Sequence, residues 1–289
     1  MGRTITTASG TNLGQGSWSP ALFGWDGQRG PWTMSAWYKP AAFTQTACLI
    51  SLGKNTIFNG YAGIRVNTSG TASVFHRGSS NITATSSNAD TTTGVWRHVY
   101  GTVSTSSQTD SFLVIQDGDV ANKGSQTNGG SFIDSDANDV RIGQLTYSTA
   151  NTWKADGDIA WVAVWNVWTG NRPWVAAALA AGVNPLTILP EHLIMCFPLT
   201  GASSGSEVDL ITGQTLNENG TIGTSDSPLV SISEPWMVNY SEDPKITVRP
   251  FLTKPISRNS RIFIPTIAGD TFVPVSEPSP IQYKITMII

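Results

Sequence analysis

Along most of the chain, apolar and polar residues alternate in short runs that end at glycine, proline, asparagine or aspartate. This is the pattern of half-buried β-strands joined by turns. In Trp32-Thr-Met-Ser-Ala-Trp-Tyr-Lys39 it places Trp32, Met34, Ala36 and Tyr38 on one face and Thr33, Ser35 and Trp37 on the other, and Pro40 closes the run. Residues 158–165 alternate in the same way, which predicts Ile159, Trp161, Ala163 and Trp165 on one face. Further strands are predicted at 4–7, 47–52, 61–66, 72–76, 95–103, 111–116, 140–143 and 192–197. Gly53-Lys-Asn, Asn67-Thr-Ser-Gly70 and Asp117-Gly118 supply turn chemistry between them.

One stretch changes period. After Asn171 and Pro173, which suit a helix start, Val175, Ala178 and Leu179 fall on one helical face, and Gly182 followed by Pro185 supplies a stop. The expectation is a small helical plug at the edge of a sheet sandwich, capping its core. The Gly-, Ser- and Trp-containing stretch that leads to Gly30-Pro31 reads as loop. The tract 78–93, almost all Ser, Thr, Asn and Ala, predicts a surface loop with a weak strand at 82–85. About a dozen short strands predict an all-β fold, a two-sheet antiparallel jelly-roll sandwich with one short helix.

Composition narrows the partners. Charged residues make up 13% of the chain, the formal net charge is -3 and the 17 Lys and Arg are scattered, so nucleic acid is not an expected partner. No run of apolar residues is long enough to span a membrane, and the N-terminus lacks the apolar core of a signal peptide, so neither a membrane nor the usual secretory route is expected. Cys48 and Cys196 lie in apolar strand-like runs, where buried free thiols are the ordinary outcome and a disulfide is unforced. The 11 tryptophans fill a sheet interior or line a shallow site.

Five phrases, in order, carry a family resemblance. They are Trp32-Thr-Met-Ser-Ala-Trp-Tyr-Lys-Pro40, Gly94-Val-Trp-Arg-His-Val-Tyr-Gly-Thr102, Val114-Ile-Gln-Asp-Gly118, Val140-Arg-Ile-Gly143 and Gly157-Asp-Ile-Ala-Trp-Val-Ala-Val-Trp165. Together they resemble the laminin G-like, concanavalin A-like lectin and glucanase jelly-roll superfamily. The segment 179–185, then 193–199, then Asp209-Leu-Ile-Thr-Gly213 is similar to the ending of laminin G-like proteins from bacteriophages. The resemblance covers residues 1–230, the expected jelly-roll domain, and leaves 231–289 apart.

That remainder is punctuated by prolines, which resist a regular domain. Its apolar clusters, with Ile246, Val248, Phe251, Ile262, Phe263, Ile264, Ile288 and Ile289, are too rich for a disordered tail. They predict an extended C-terminal arm for assembly contacts, docked on a neighbouring subunit or on its own sandwich.

Candidate chemistry is sparse. Glycoside hydrolases that share this jelly roll carry Glu-x-Asp-x-x-Glu on one strand; here Glu207 and Asp209 match, but Thr212 stands at the acid position. Without that proton donor the loss is on the order of a hundredfold or more, so no catalytic residue is assigned and the segment is expected to be structural. Asp134, Asp136, Asn138 and Asp139 can contribute to a calcium site, with a solvated Asx-rich turn as the alternative; no other cofactor is expected. His76, His98 and His192 show no metal-ligand spacing. Trp18, Trp25 and Trp153 lie outside the alternating strands and are candidates for stacking on sugar rings, with packing under long loops as the alternative.

The leading expectation is therefore a non-enzymatic phage virion structural protein. It would be a capsid decoration or cementing protein, or a tail or fibre component, forming a homo-oligomer and docking on other virion proteins through its arm. The alternative is a lectin-like module that binds a host glycan.

Overall fold

The computed structural model describes residues 2–6, 12–16, 31–53, 61–77, 81–104, 110–127, 139–147, 150–200, 205–228 and 230. The strands are β1 (Gly2–Ile5), β2 (Asn12–Gly16), β3 (Trp32–Pro40), β4 (Ala47–Gly53), β5 (Tyr61–Val66) and β6 (Ala72–Arg77). They continue as β7 (Asn81–Thr85), β8 (Arg97–Val103), β9 (Phe112–Gln116), β10 (Gly124–Gln126), β11 (Asp139–Ile142) and β12 (Leu145–Tyr147). The last six are β13 (Ala150–Thr152), β14 (Gly157–Trp165), β15 (Leu193–Phe197), β16 (Glu207–Val208), β17 (Thr215–Asn219) and β18 (Gly223–Ser225), with one helix, α1 (Trp174–Ala180).

Two antiparallel sheets of eight strands form the sandwich. The first runs β10-β9-β8-β3-β14-β1-β18, with β15 also paired to β14. The second runs β16-β17-β2-β11-β4-β5-β6-β7, and β12 with β13 makes a separate hairpin. The alternation of β3 is as expected: Trp32, Met34, Ala36 and Tyr38 join the core between the sheets with Ile50, Ile64, Val74, Val99 and Phe112. These strands contribute every second residue because successive side chains point to opposite faces, except β4, where a register shift between Cys48 and Ile50 sends both Leu49 and Ile50 into the core.

Strand β14 departs from its expected phase. Its register against β3 shifts between Ala160 and Ala163, and Trp161 takes φ 49, in the left-handed region. This bulge sends Ile159, Val162 and Val164 into the inter-sheet core. Ala160, Trp161, Ala163 and Trp165 turn to the other side of the sheet. Ile159 is thus separated from the tryptophans it was expected to accompany, because an extra residue in one strand inverts the faces of all that follow.

Helix α1 covers that other side. Val175, Ala176, Ala178 and Leu179 are buried against Trp161, Trp165, Tyr100, Leu113 and Ile115, and the Trp165 Nε1–H donates to the Ile188 carbonyl at 2.7 Å. The helix stops as expected, with Gly182 at φ 85 and the Val183 N–H returning to the Ala178 carbonyl at 3.0 Å. It roofs a sheet face, not the sandwich edge. The outer face of the first sheet is itself apolar, and exposing so large a patch would cost more than ordering a short helix over it.

Other differences have one cause. Strand β2, within the stretch read as loop, carries a single apolar residue, Leu13, fully buried in the core. It is a strand because β11 and β17 pair with it on either side. Strands β10, β12, β13, β16, β17 and β18 are similarly short and were also beyond the alternation pattern. The weak strand near 82–85 is present as β7, and the exposed loop follows it. Cys48 and Cys196 are free and buried, in clusters on the outer sides of different sheets. Burial pushes both thiols up to about 12, which makes them poor nucleophiles.

Candidate functional site on the outer face of the second sheet

The outer face of the second sheet is built by cross-strand neighbours. One row runs Asn217, Gly14, Arg141, Ser51, Gly63, Phe75 and Thr83 across seven strands. A parallel row carries Cys48, Arg65, Ser73 and Thr85. The small residues leave room for large neighbours to lie flat. A Cβ on Gly63 would sit 2.2 Å from the Ile50 carbonyl oxygen and 2.8 Å from the Phe75 ring, and one on Gly14 would sit 2.6 Å from the Arg141 side chain.

The β12–β13 hairpin crosses this face. Leu145 and Trp153 pack on Cys48, Tyr61 and Phe75, and the Trp153 carbonyl accepts from the Cys48 N–H at 2.9 Å. Trp153 has φ 52, a conformation that costs a non-glycine residue about 1–3 kcal/mol and is kept where surroundings over-determine it. Its ring meets Phe75 edge-on at 5.3 Å and Tyr61 at 6.5 Å between centroids. Arg65 lies over it, with Cζ 4.2 Å from the Trp153 centroid and 5.4 Å from that of Phe75. Beside them the Asn67 Nδ2–H donates to the Ser73 Oγ at 2.7 Å, and the Ser73 and Thr85 hydroxyls share a hydrogen bond of 2.9 Å.

Arg65 differs from three other arginines of the described residues, and shares with the half-buried Arg172 the lack of a carboxylate partner there. Arg3 meets Glu207 and Glu218, Arg97 meets Asp90 and Asp117, and Arg141 meets Asp139. Among the described residues Arg65 has neither a carboxylate partner nor a hydrogen bond to its buried Nε. Burial lowers its pKa, while the neighbouring Cys48 and Tyr61 act in the other direction.

Of the sequence-predicted site residues, Trp153 and Asp139 lie among the described residues, on different elements. Trp153 is half-buried with Arg65 on one ring face, so it is a packed side chain as well as a candidate surface. Trp18 and Trp25 lie outside the described residues, as do Asp134, Asp136 and Asn138. Asp139 is buried in β11, and Arg141 Nε–H donates to both its oxygens at 3.0 and 2.9 Å. Among the described residues no group of three His, Cys, Asp or Glu side chains could hold a metal ion. The arm residues Ile246, Val248, Phe251, Ile262, Phe263, Ile264, Ile288 and Ile289 also lie outside the described residues. Arg65 was missed from sequence because a lone arginine in an alternating strand looks like any solvated strand residue.

The Glu207 and Asp209 pair serves the fold. Glu207 pairs with the buried Arg3 at 3.3 Å. Asp209 is fully buried and accepts from Cys196, Ile211 and Thr212. Among the described residues no helix is long and apolar enough to cross a membrane.

Solved structures with this architecture include a protein from Bacteroides ovatus provisionally assigned to carbohydrate binding. It is 18% identical, has a TM-score of 0.54 and covers 80% of this chain, while the chain spans 61% of that protein's length. A heptameric SAP-like pentraxin from Limulus polyphemus is 15% identical at TM-score 0.46, covering 62% of this chain and 81% of its own. The carbohydrate-binding module CBM40 of the Ruminococcus gnavus IT-sialidase is 14% identical at TM-score 0.45, covering 62% of this chain and 97% of its own. No curated protein sequence matches significantly. The laminin G-type family model, described as the concanavalin A-like lectin/glucanases superfamily, matches residues 9–169, more than half of the chain. With its two antiparallel sheets and the match across their strands, the chain belongs to the concanavalin A-like lectin/glucanases superfamily.

Proposed function

We propose that the chain is a non-catalytic glycan-binding module that takes its ligand on the outer face of the second sheet, around Trp153. The observation that carries this reading is the strained, half-buried Trp153, set beside Phe75, Tyr61 and Arg65 at the margin of a row of hydroxyl and amide side chains. A partly exposed indole, held by the buried Phe75 and Tyr61 and set next to hydrogen-bonding groups, matches the apolar C–H face and the peripheral hydroxyls of a sugar ring. The structural engagement of Glu207 and Asp209 supports binding over hydrolysis, and the Bacteroides ovatus fold neighbour is in keeping with it.

The full chain is expected to bind a defined set of glycans on an array, and Trp153→Ala to weaken binding about tenfold, roughly the loss of one good aromatic contact. A normal thermal midpoint in the variant separates this from unfolding. Undiminished binding by Trp153→Ala would move the site elsewhere.

A second reading, a phage virion component joined to its neighbours by residues 231–289, is favoured by the apolar clusters in that proline-rich segment. Deleting residues 239–289 is then expected to leave a soluble, folded domain that no longer co-assembles. Normal incorporation of the truncated chain into particles would end that reading.

A further inference from the structure

We propose that Arg65 forms an acid-binding subsite, so that the glycan bound on this face is one bearing a carboxylate or sulfate group. The inference rests on the glycan-binding reading and names its substrate class. Arg3, Arg97 and Arg141 each have a carboxylate in reach, whereas Arg65 and Arg172 have none among the described residues, and of these two it is Arg65 that lies over aromatic rings. Removing a guanidinium from water without a counter-charge is unfavourable, and the deficit disappears when an anion arrives from outside.

The setting suits that arrival. Stacking on Trp153 at 4.2 Å, with Phe75 at 5.4 Å, holds the guanidinium plane and leaves its fork of N–H groups available for two parallel hydrogen bonds to an oxyanion. The cross-strand neighbour of Arg65 is Ser73, whose own neighbour is Thr85. Asn67 bonds to Ser73. Ser73 is fully buried and anchors its neighbours, so the exposed Thr85 hydroxyl and the half-buried Asn67 amide flank the cation where the hydroxyls of a saccharide ring would lie once its acid group met Arg65. The ionisable neighbours acting on Arg65 are the Cys48 thiol and the Tyr61 phenol. The Cys48 thiol, with its raised pKa, is neutral near pH 7.

The test is an array of uronate-, sialate- and sulfate-bearing glycans with their methyl-esterified, desialylated and desulfated counterparts, followed by calorimetric titration of the strongest pair. The wild-type chain is expected to bind the acidic member about tenfold or more tightly than its neutral counterpart. Arg65→Gln should erase that difference, and Arg65→Lys, which keeps the charge without the fork, should retain only part of it. Affinity of the acidic glycan should fall with added NaCl. Should Arg65→Gln fail to fold, the Lys variant and the salt series still decide the matter. Equal binding of acidic and neutral members, unchanged in the Arg65 variants, would overturn the acid subsite and leave glycan binding standing. No binding to any glycan on the array would overturn both. Whether uronates, sialates or sulfates bind identifies the source of the anionic group.

Discussion

Replacing Asp209 by alanine is expected to remove about 3–5 kcal/mol of stability, a large part of the roughly 5–15 kcal/mol available to a folded domain. The carboxylate is fully buried. Its Oδ1 accepts from the Cys196 N–H at 2.7 Å and the Ile211 N–H at 3.2 Å, and its Oδ2 from the Thr212 N–H at 3.1 Å and hydroxyl at 2.5 Å. One side chain thus closes the turn after β16 and ties it to the edge of β15. Alanine would strand the buried Cys196 N–H away from water, at about 1–3 kcal/mol, and would remove the charge-assisted bonds to the part-buried Ile211 and Thr212 N–H groups, which water relieves in part. The substitution Asp209→Asn keeps the shape but leaves a single acceptor oxygen, so its loss should be smaller. The check is the urea midpoint at constant m-value. A midpoint for Asp209→Ala equal to wild type would show that the turn is held by something else.

Acidification should weaken the fold well before most carboxylates titrate. His98 is buried in β8 with its ring 5.3 Å from Trp37, and its Nδ1 has no hydrogen-bond partner among the described residues. Burial brings its pKa down to about 3, against about 6.5 in an unfolded chain. Between those values the unfolded chain holds a proton that the folded one refuses. Stability is therefore intact above about pH 6.5 and is lost as pH falls toward 3, by about 3 kcal/mol at pH 4.5. Asp117 and Asp139 are both raised by burial. They work the other way, binding protons more readily in the folded state as pH falls. Asp90, Asp110 and Asp226, lowered by hydrogen bonds from Thr92, Lys123 and Lys39 respectively, lose their contribution only at more acid pH. His98→Phe is expected to flatten the profile between pH 6.5 and 4.5 in chemical denaturation. A wild-type profile already flat over that interval would exclude His98 as its origin.

Asp209 and His98 differ in how far the local sequence reveals their roles. Asp209 was readable in part: its place in Asp209-Leu-Ile-Thr-Gly213 pointed to a turn, but not to the Cys196 N–H. His98 was a strand residue in an alternating run, and only the layer over the first sheet makes it inaccessible. The candidate site was less legible still. Trp153 stood out as a tryptophan beyond the regular strands, whereas Arg65 and Phe75 gave no signal, since their meeting depends on the pairing of β5 with β6 and on where the hairpin β12–β13 falls.

By itself the sequence determined the all-β class, the boundaries of long strands such as β3, and the inward set Trp32, Met34, Ala36 and Tyr38. It also determined the one helix and its stop, because period, turn residues and caps act within a few positions of one another. Tertiary structure alone decided that α1 roofs a sheet face, that the bulge at Trp161 turns β14 to serve two layers, and that β2 is a strand. It also decided that Arg65 lies on Trp153 without a counter-charge among the described residues. These are matters of pairing between distant segments, where register and desolvation are set by neighbours that local pattern does not contain.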